Sequence, residues 1–255
     1  MTRAPKRLPI HLVLVLAALS CADSTHSSSV NMPSTNKFFT TGVQVTLEAA
    51  IRANDTGAIA RALAGGAEAN ARGKLDITPL MIAVDAQCPD AVNALLKAGA
   101  APNAQATDRN GPVSLAVRSY RAKPHGRDIM MAVFKAGGDP DSRRPDGDPV
   151  IFRFIEDHDV DDVKLMKTLG ADLDIRDRGN DPLITSVAMA QDWDMVWTLI
   201  ELGARYDYEN GASRQPLSMS LSLAYPAPDS PLYPYKLKVW QLLKDKGLPV
   251  KPMKP

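Results

Sequence analysis

Thr78-Pro79-Leu80-Met81-Ile82-Ala83-Val84, followed by Leu95-Leu96-Lys97-Ala98-Gly99-Ala100-Ala101-Pro102-Asn103, is the stretch whose reading decides the fold. The threonine hydroxyl can cap a helix that opens on Pro79, where a missing N–H leaves no bond unmade. Gly99 follows a second apolar run and supplies the left-handed residue that ends another helix. Two short helices and a tight turn fit between these signals. Isolated helices below about 12–15 residues are marginal in water, so this pair must bury its apolar face against a neighbour.

The neighbours are written in the same chain. Leu47, Leu80 and Val113 are 33 residues apart, Val150 and Leu183 repeat the interval, and Leu217 closes the series. Gly66, Gly99, Gly137, Gly170, Gly203 and Gly247 run in parallel with them. Asp148-Pro149 and Asp181-Pro182 read like Thr78-Pro79, as a capping oxygen followed by a first-turn proline. Leu80, Ala83, Val92, Leu95 and Leu96 correspond to Leu183, Ser186, Val196, Leu199 and Ile200, so stacked copies would bury one continuous core. Six units follow, at 44–75, 76–108, 109–145, 146–178, 179–211 and 212–250, with 251–255 as a tail. The third carries about five extra residues around Arg118–Arg127 and the sixth about eleven around Ser222–Tyr235, both between paired helices.

Over 44–250 these phrases resemble ankyrin repeats. The resemblance implies an all-α solenoid of about six helix–turn–helix units joined by short extended loops. The family's Thr-Pro-Leu-His stands here as Thr-Pro-Leu-Met, and other copies hold Glu48, Ser114, Ile151, Ile184 or Ser218 at the histidine position. The unit-to-unit bonds of that histidine are therefore missing, and a less rigid stack is expected. In ankyrin stacks the loops and the exposed side of the first helices grip other proteins. Carried over by position, that surface holds Lys74, Asp76, Asp108, Arg109, Arg143, Arg144, Asp146, Asp177 and Arg178 in loops, with Asp85, Arg118, Glu156 and Met189 on helices.

A row of mixed charge suits a specific protein partner better than a polyanion. Tyr225 and Tyr233, with Tyr235, fall in the proline-rich insertion, where they could anchor a partner or pack the loop onto the last unit. Glu156-Asp157-His158-Asp159-Val160-Asp161-Asp162 reads as capping for the following helix, with contact to a basic partner as the other option. Trp193, Trp197 and Trp240 are read as core, and Cys88 as a small buried residue.

Upstream, Arg3, Lys6 and Arg7 precede an apolar run from Leu12 to Leu19 and then Ser20-Cys21. That run is too short for a bilayer span of about 20 residues but fits a secretory signal. Ala18-Leu19-Ser20-Cys21 resembles the bacterial lipoprotein signal, with Ala18 where leucine is usual. The resemblance implies removal of residues 1–20, acylation of Cys21 and anchoring on a membrane facing the periplasm. Ala22, in place of an aspartate that retains such proteins at the inner membrane, implies the outer one. Residues 21–43 are then a Ser/Thr-rich tether, spanning on the order of 26 Å as a random coil.

Composition narrows the function classes. Without residues 1–20 the chain holds 27 basic and 29 acidic side chains, too balanced for nucleic-acid binding, which needs clustered cations in excess. No Gly-x-Ser-x-Gly elbow or phosphate loop is present, and no two of the four histidines share one helix at metal-ligand spacing. No catalytic residue, metal, cofactor or small-molecule substrate is expected. An exported, lipid-anchored ankyrin stack is similar to the immunity lipoproteins encoded beside lipase or phospholipase effectors of type VI secretion. That similarity implies a protein partner, the toxin itself. The alternative is a periplasmic scaffold for a resident envelope enzyme, of the kind found near catalases.

Overall fold

The computed structural model describes residues 37–40, 42–207, 217–222 and 226–252; Cys21, with the segment before it expected to be a leader, and Tyr225 lie outside them. Helices come in pairs. They are α1 (Gly42–Arg52) with α2 (Thr56–Ala64), α3 (Pro79–Asp85) with α4 (Pro89–Lys97), and α5 (Pro112–Ser119) with α6 (Gly126–Lys135). Then come α7 (Phe152–Glu156) with α8 (Val160–Thr168), α9 (Leu183–Met189) with α10 (Trp193–Glu201), and α11 (Leu217–Leu221) with α12 (Tyr233–Asp245). The first helices follow one another in one layer, in which α3 packs between α1 and α5 and α9 packs on α11, whereas α7 packs chiefly on its own partner α8. The second helices form another, with α4 between α2 and α6 and α10 against α12. Among the described residues no helix is long and apolar enough to cross a membrane.

The deciding stretch folds as read. Thr78 accepts a hydrogen bond from the Met81 N–H at 3.4 Å, Pro79 opens α3, and Gly99 follows α4 with φ +83°. Leu80, Ala83, Val92 and Leu95 are buried, as are Leu183, Val196 and Leu199, whereas Leu96, Ser186 and Ile200 stay half-exposed. Trp193 and Cys88 are fully buried; Trp197 and Trp240 are only partly so.

The other two Asp-Pro pairs behave differently. Helix α7 begins at Phe152 and α9 at Leu183, so neither Asp148 nor Asp181 caps a helix. Asp148 instead accepts from the Arg178 backbone N–H in the next loop at 2.9 Å, and the Asp181 N–H is taken by Asp177 at 2.9 Å. Asp148 lies three residues before the cap position of α7 and Asp181 one residue before that of α9, so neither carboxylate stands where the first-turn N–H groups open.

Hydrogen bonds between units come from another position. Asn70 and Asn103 accept from the Ala101 and Asp139 N–H at 2.7 and 2.8 Å, and their amides donate to the Gly99 and Gly137 carbonyls. Asp141 and Asp174 accept from the Asp172 and Arg205 N–H at 2.8 and 2.7 Å. These four acceptors tie each loop to the next, satisfying backbone groups that a loop otherwise leaves to water.

A second series links the turns inside the pairs, where Asn54, Gln87, His158 and Gln191 all have positive φ. Asn54 donates to Asp90 at 3.0 Å and Gln87 to Ser119 at 3.0 Å, while His158 Nδ1 lies 2.7 Å from Asp192 Oδ2. Asp192 is buried, and that burial, followed by its hydrogen bond to Asp194 and Asp194's charge, raises its carboxyl from 3.8 to about 6 against the opposing pull of His158. A raised folded-state value means the folded chain holds this proton more tightly, so its contribution is full below pH 3.8 and is lost as pH rises to about 6. Thermal melts from pH 4 to 7 should therefore show Asp192→Asn gaining on the wild type as pH rises. Parallel curves would show that Asp192 carries no such linkage.

The insertion in the third unit makes the tightest polar joint. Tyr120 Oη donates to Asp162 Oδ1 at 2.6 Å, while Arg121 pairs with Asp162 at 2.8 Å and also with Asp159. Tyr120 stands edge-on to Phe154 with ring centroids 5.5 Å apart. Asp159 also caps α8 by accepting from the Asp162 N–H at 2.9 Å, which is the capping role read for the acidic run. The third unit thus reaches across to the fourth, whose first helix is only five residues long.

At the other end, Phe38 and Phe39 are buried although they fall in the segment expected to be tether. Their N–H groups donate to Glu48 at 2.9 and 3.1 Å, and Arg52 pairs with the same carboxylate at 2.9 Å. Glu48 holds one of the positions where the repeat phrase has histidine, and here it pins the incoming chain over the first unit.

Candidate protein-interaction face

Four side chains at one register position near the ends of α3, α5, α7 and α9 form a row: Asp85, Arg118, Glu156 and Met189. The intervals of 33, 38 and 33 carry each to the same place on its unit, the longer one absorbing the third unit's insertion. Arg118 and Asp85 pair across two units at 3.2 Å. Burial raises the Asp85 carboxyl above its usual value, against the opposing charges of Arg118, Arg52 and Lys123. Glu156 receives two bonds from Arg144, at 2.9 and 3.0 Å, and Arg144 also lies 3.3 Å from Asp146 and 3.4 Å from Asp148. Met189 is 46% exposed, so the row changes from paired charge to bare apolar surface along the stack.

The loops beside this row divide into holders and tips. Asp108 accepts from the Asn110 N–H and side-chain amide at 3.0 and 2.7 Å, and Arg143 donates to the Gly147 carbonyl at 2.8 Å. Asp177 accepts from Ser186 Oγ at 2.9 Å, and Asp76 from Thr107 Oγ1 at 2.9 Å. These bonds shape the loops. Lys74, Arg109 and Arg178 leave their side chains exposed at the tips, with Arg109 at φ +66°. Tyr233 is half-buried at the start of α12, on a different helix layer from the row.

Sequence reasoning passed over three members, of which Leu75 and Met219 are exposed and Arg52 is half-buried. Leu75 is 67% exposed at φ +58°, between Lys74 and Asp76 in a single 3-10 turn that the Phe38 carbonyl holds through the Lys74 N–H at 2.9 Å. A leucine in the left-handed region is strained, and here the strain places an apolar tip in water. Met219 on α11 is 49% exposed, extending the apolar end of the face. Arg52 stands 33 residues before Asp85 and belongs to the same register; that interval was the available signal. Among the described residues no group of three or more His, Cys, Asp or Glu side chains is placed to hold a metal.

Residues 76–107 match the family model of the ankyrin repeat, and this segment is one. Its limits span the loop turn, α3, α4 and the following loop. No curated protein matches the chain.

Proposed function

We propose that this chain is a membrane-tethered binding module that holds and inhibits another protein, a lipase or phospholipase delivered by type VI secretion. What carries the reading is the face itself: the scaffold repeats, but its exposed positions do not. At one register the units present Asp85, Arg118, Glu156 and Met189, with Leu75 and Met219 as apolar points at either side. Repeated backbone with unrepeated surface is what recognition of one partner requires, since apolar anchors supply affinity and the charge order supplies specificity. The ankyrin repeat at 76–107 supports a protein partner. The lipoprotein-like Ala18-Leu19-Ser20-Cys21 supports an outer-membrane tether, a position from which an enzyme that attacks lipid could be met before it reaches its substrate.

The test is a contest between siblings. A strain lacking this gene should die when attacked by cells that deliver the effector, and the purified protein should recover that enzyme and suppress its hydrolysis. Survival equal to the parent strain, with no toxin on the purified protein, would overturn the proposal. Recovery of a resident envelope enzyme instead would replace it with the scaffold role.

A further inference from the structure

Charge is divided unevenly along this chain. Residues 233–255 hold six lysines and one acid, net +5, whereas residues 21–232 hold 21 basic and 28 acidic side chains, net −7. The chain's three tryptophans fall on the same end of the stack, Trp193 and Trp197 in α10 and Trp240 in α12. The structure sets the two groups together. Lys238 Nζ is 5.3 Å from the Trp197 ring centroid and 5.1 Å from that of Tyr235, and Lys244 Nζ is 4.9 Å from that of Trp240. Lys236, buried, stands 5.6 Å over the Trp193 ring and belongs to the interior of the joint.

The outward side of this joint is unlike the rest of the surface. Lys238 and Lys244 are exposed, Leu237 beside them is 41% exposed, and Trp197, Tyr235 and Trp240 each show part of their rings. Trp240 Nε1 donates to the Lys251 carbonyl at 2.9 Å, which folds the last described segment back beside α12 and adds exposed Lys246 and Lys251. The acids within this surface are engaged locally: Glu201 accepts from Trp197 Nε1 at 2.6 Å and Asp245 from the Gln241 amide at 2.6 Å.

Indole rings that keep one edge wet settle at the level of lipid headgroups, and ammonium groups on long stems reach anionic phosphates from there. The cations here are all lysines, compact point charges suited to a diffuse anionic surface; bidentate pairing with individual carboxylates would call for arginine. The remainder of the mature chain is acidic and is repelled by such a surface, which turns this end toward it. We infer that α12, with the exposed edge of α10, is a docking face for an anionic phospholipid bilayer. The contact is separate from any lipid on Cys21 and leaves the Asp85–Met189 row pointing at other partners.

Trp197 and Trp240 lie at this face and the third tryptophan, Trp193, is buried behind it, so a change in tryptophan emission reads the contact. The full chain carrying Cys21→Ser, which cannot be acylated there, is titrated with vesicles of phosphatidylglycerol and phosphatidylcholine. Tryptophan emission should shift to the blue and be quenched by brominated acyl chains, with the response lost at high salt. Lys238→Glu with Lys244→Glu should require at least about tenfold more lipid, while the paired arginine variant keeps the response. Circular dichroism identical to the parent shows that the glutamate variant is folded. An equal response to pure phosphatidylcholine, or none to the anionic vesicles, would overturn the inference. So would the same response to inorganic phosphate, which would mark a phosphate site, or to polyglutamate without lipid, which would mark a face for an acidic protein.

Discussion

Asp162→Ala is expected to lower stability by about 2–4 kcal/mol, because it removes a buried acceptor on which two other side chains depend. The carboxylate takes the Tyr120 hydroxyl at 2.6 Å and Arg121 at 2.8 Å, and it is 4% exposed. Tyr120 cannot turn to water without leaving Phe154, so its O–H would stay buried with no acceptor, while Arg127 goes on donating to the same oxygen. Stability in a repeat stack is a sum of units and of the joints between them, so a broken joint uncouples what lies on either side. Denaturant unfolding of the variant should separate into two transitions, the units after the third melting first. Asp162→Asn, which keeps an acceptor but loses the charge, should fall about midway. One cooperative transition at the parent midpoint would show that the joint does not bind the halves together.

Gly126→Ala, at the other end of the same insertion, should cost about 3 kcal/mol or more. A Cβ there would sit 2.1 Å from the Ser119 carbonyl oxygen and 2.6 Å from that of Tyr120. Both obstacles are backbone, so no rotamer change can clear them, and the turn that aims Tyr120 and Arg121 at Asp162 would have to open. Gly57→Ala in α2 is the comparison: its Cβ meets only side chains, Asp55 Oδ1 at 3.3 Å and Arg61 at 3.4 Å, so alanine's better helix propensity is set against a small shift of the Asp55 cap and the net change should stay within about 1 kcal/mol. Chemical melts should show a large destabilisation for Gly126→Ala and only a small change for Gly57→Ala. A Gly126→Ala protein as stable as its parent would mean that the close approach is not required.

The helix pairs were legible in the sequence because their signals are local. A cap, a proline and a terminal glycine act within one turn of the residues they shape, and the 33-residue interval shows where the apolar faces recur. The joints were not legible, because each depends on what the next unit brings within reach. Asp148 and Asp181 have the residue type of a cap, yet the Arg178 N–H in one case and Asp177 in the other decide where each is bonded. Asp162 read as one of several acids in a capping run, and only the fold shows Tyr120 and Arg121 arriving from 42 and 41 residues upstream. Phe38 and Phe39 were hidden for the same reason: their acceptor, Glu48, occupies a position defined by the repeat and not by its neighbours.

The candidate face was legible as a register and less so as a surface. Counting by 33 locates Asp85, Arg118 and Arg52, but the count cannot say that Asp108, Arg143 and Asp177 are bonded within or beside their own loops. Nor does it show that Leu75 is turned outward, since that follows from two consecutive left-handed residues at Leu75 and Asp76.

Site-specific photocrosslinking in living cells tests the binding face most directly. A photoreactive residue is placed singly at Asp85, Glu156 and Met189 along the row, and at Lys97, Lys135 and Lys167 on the second-helix layer. The row positions should capture one and the same protein, and the second-helix positions should not capture it. Capture of that protein from the second-helix positions alone would contradict the assignment of the partner to this face.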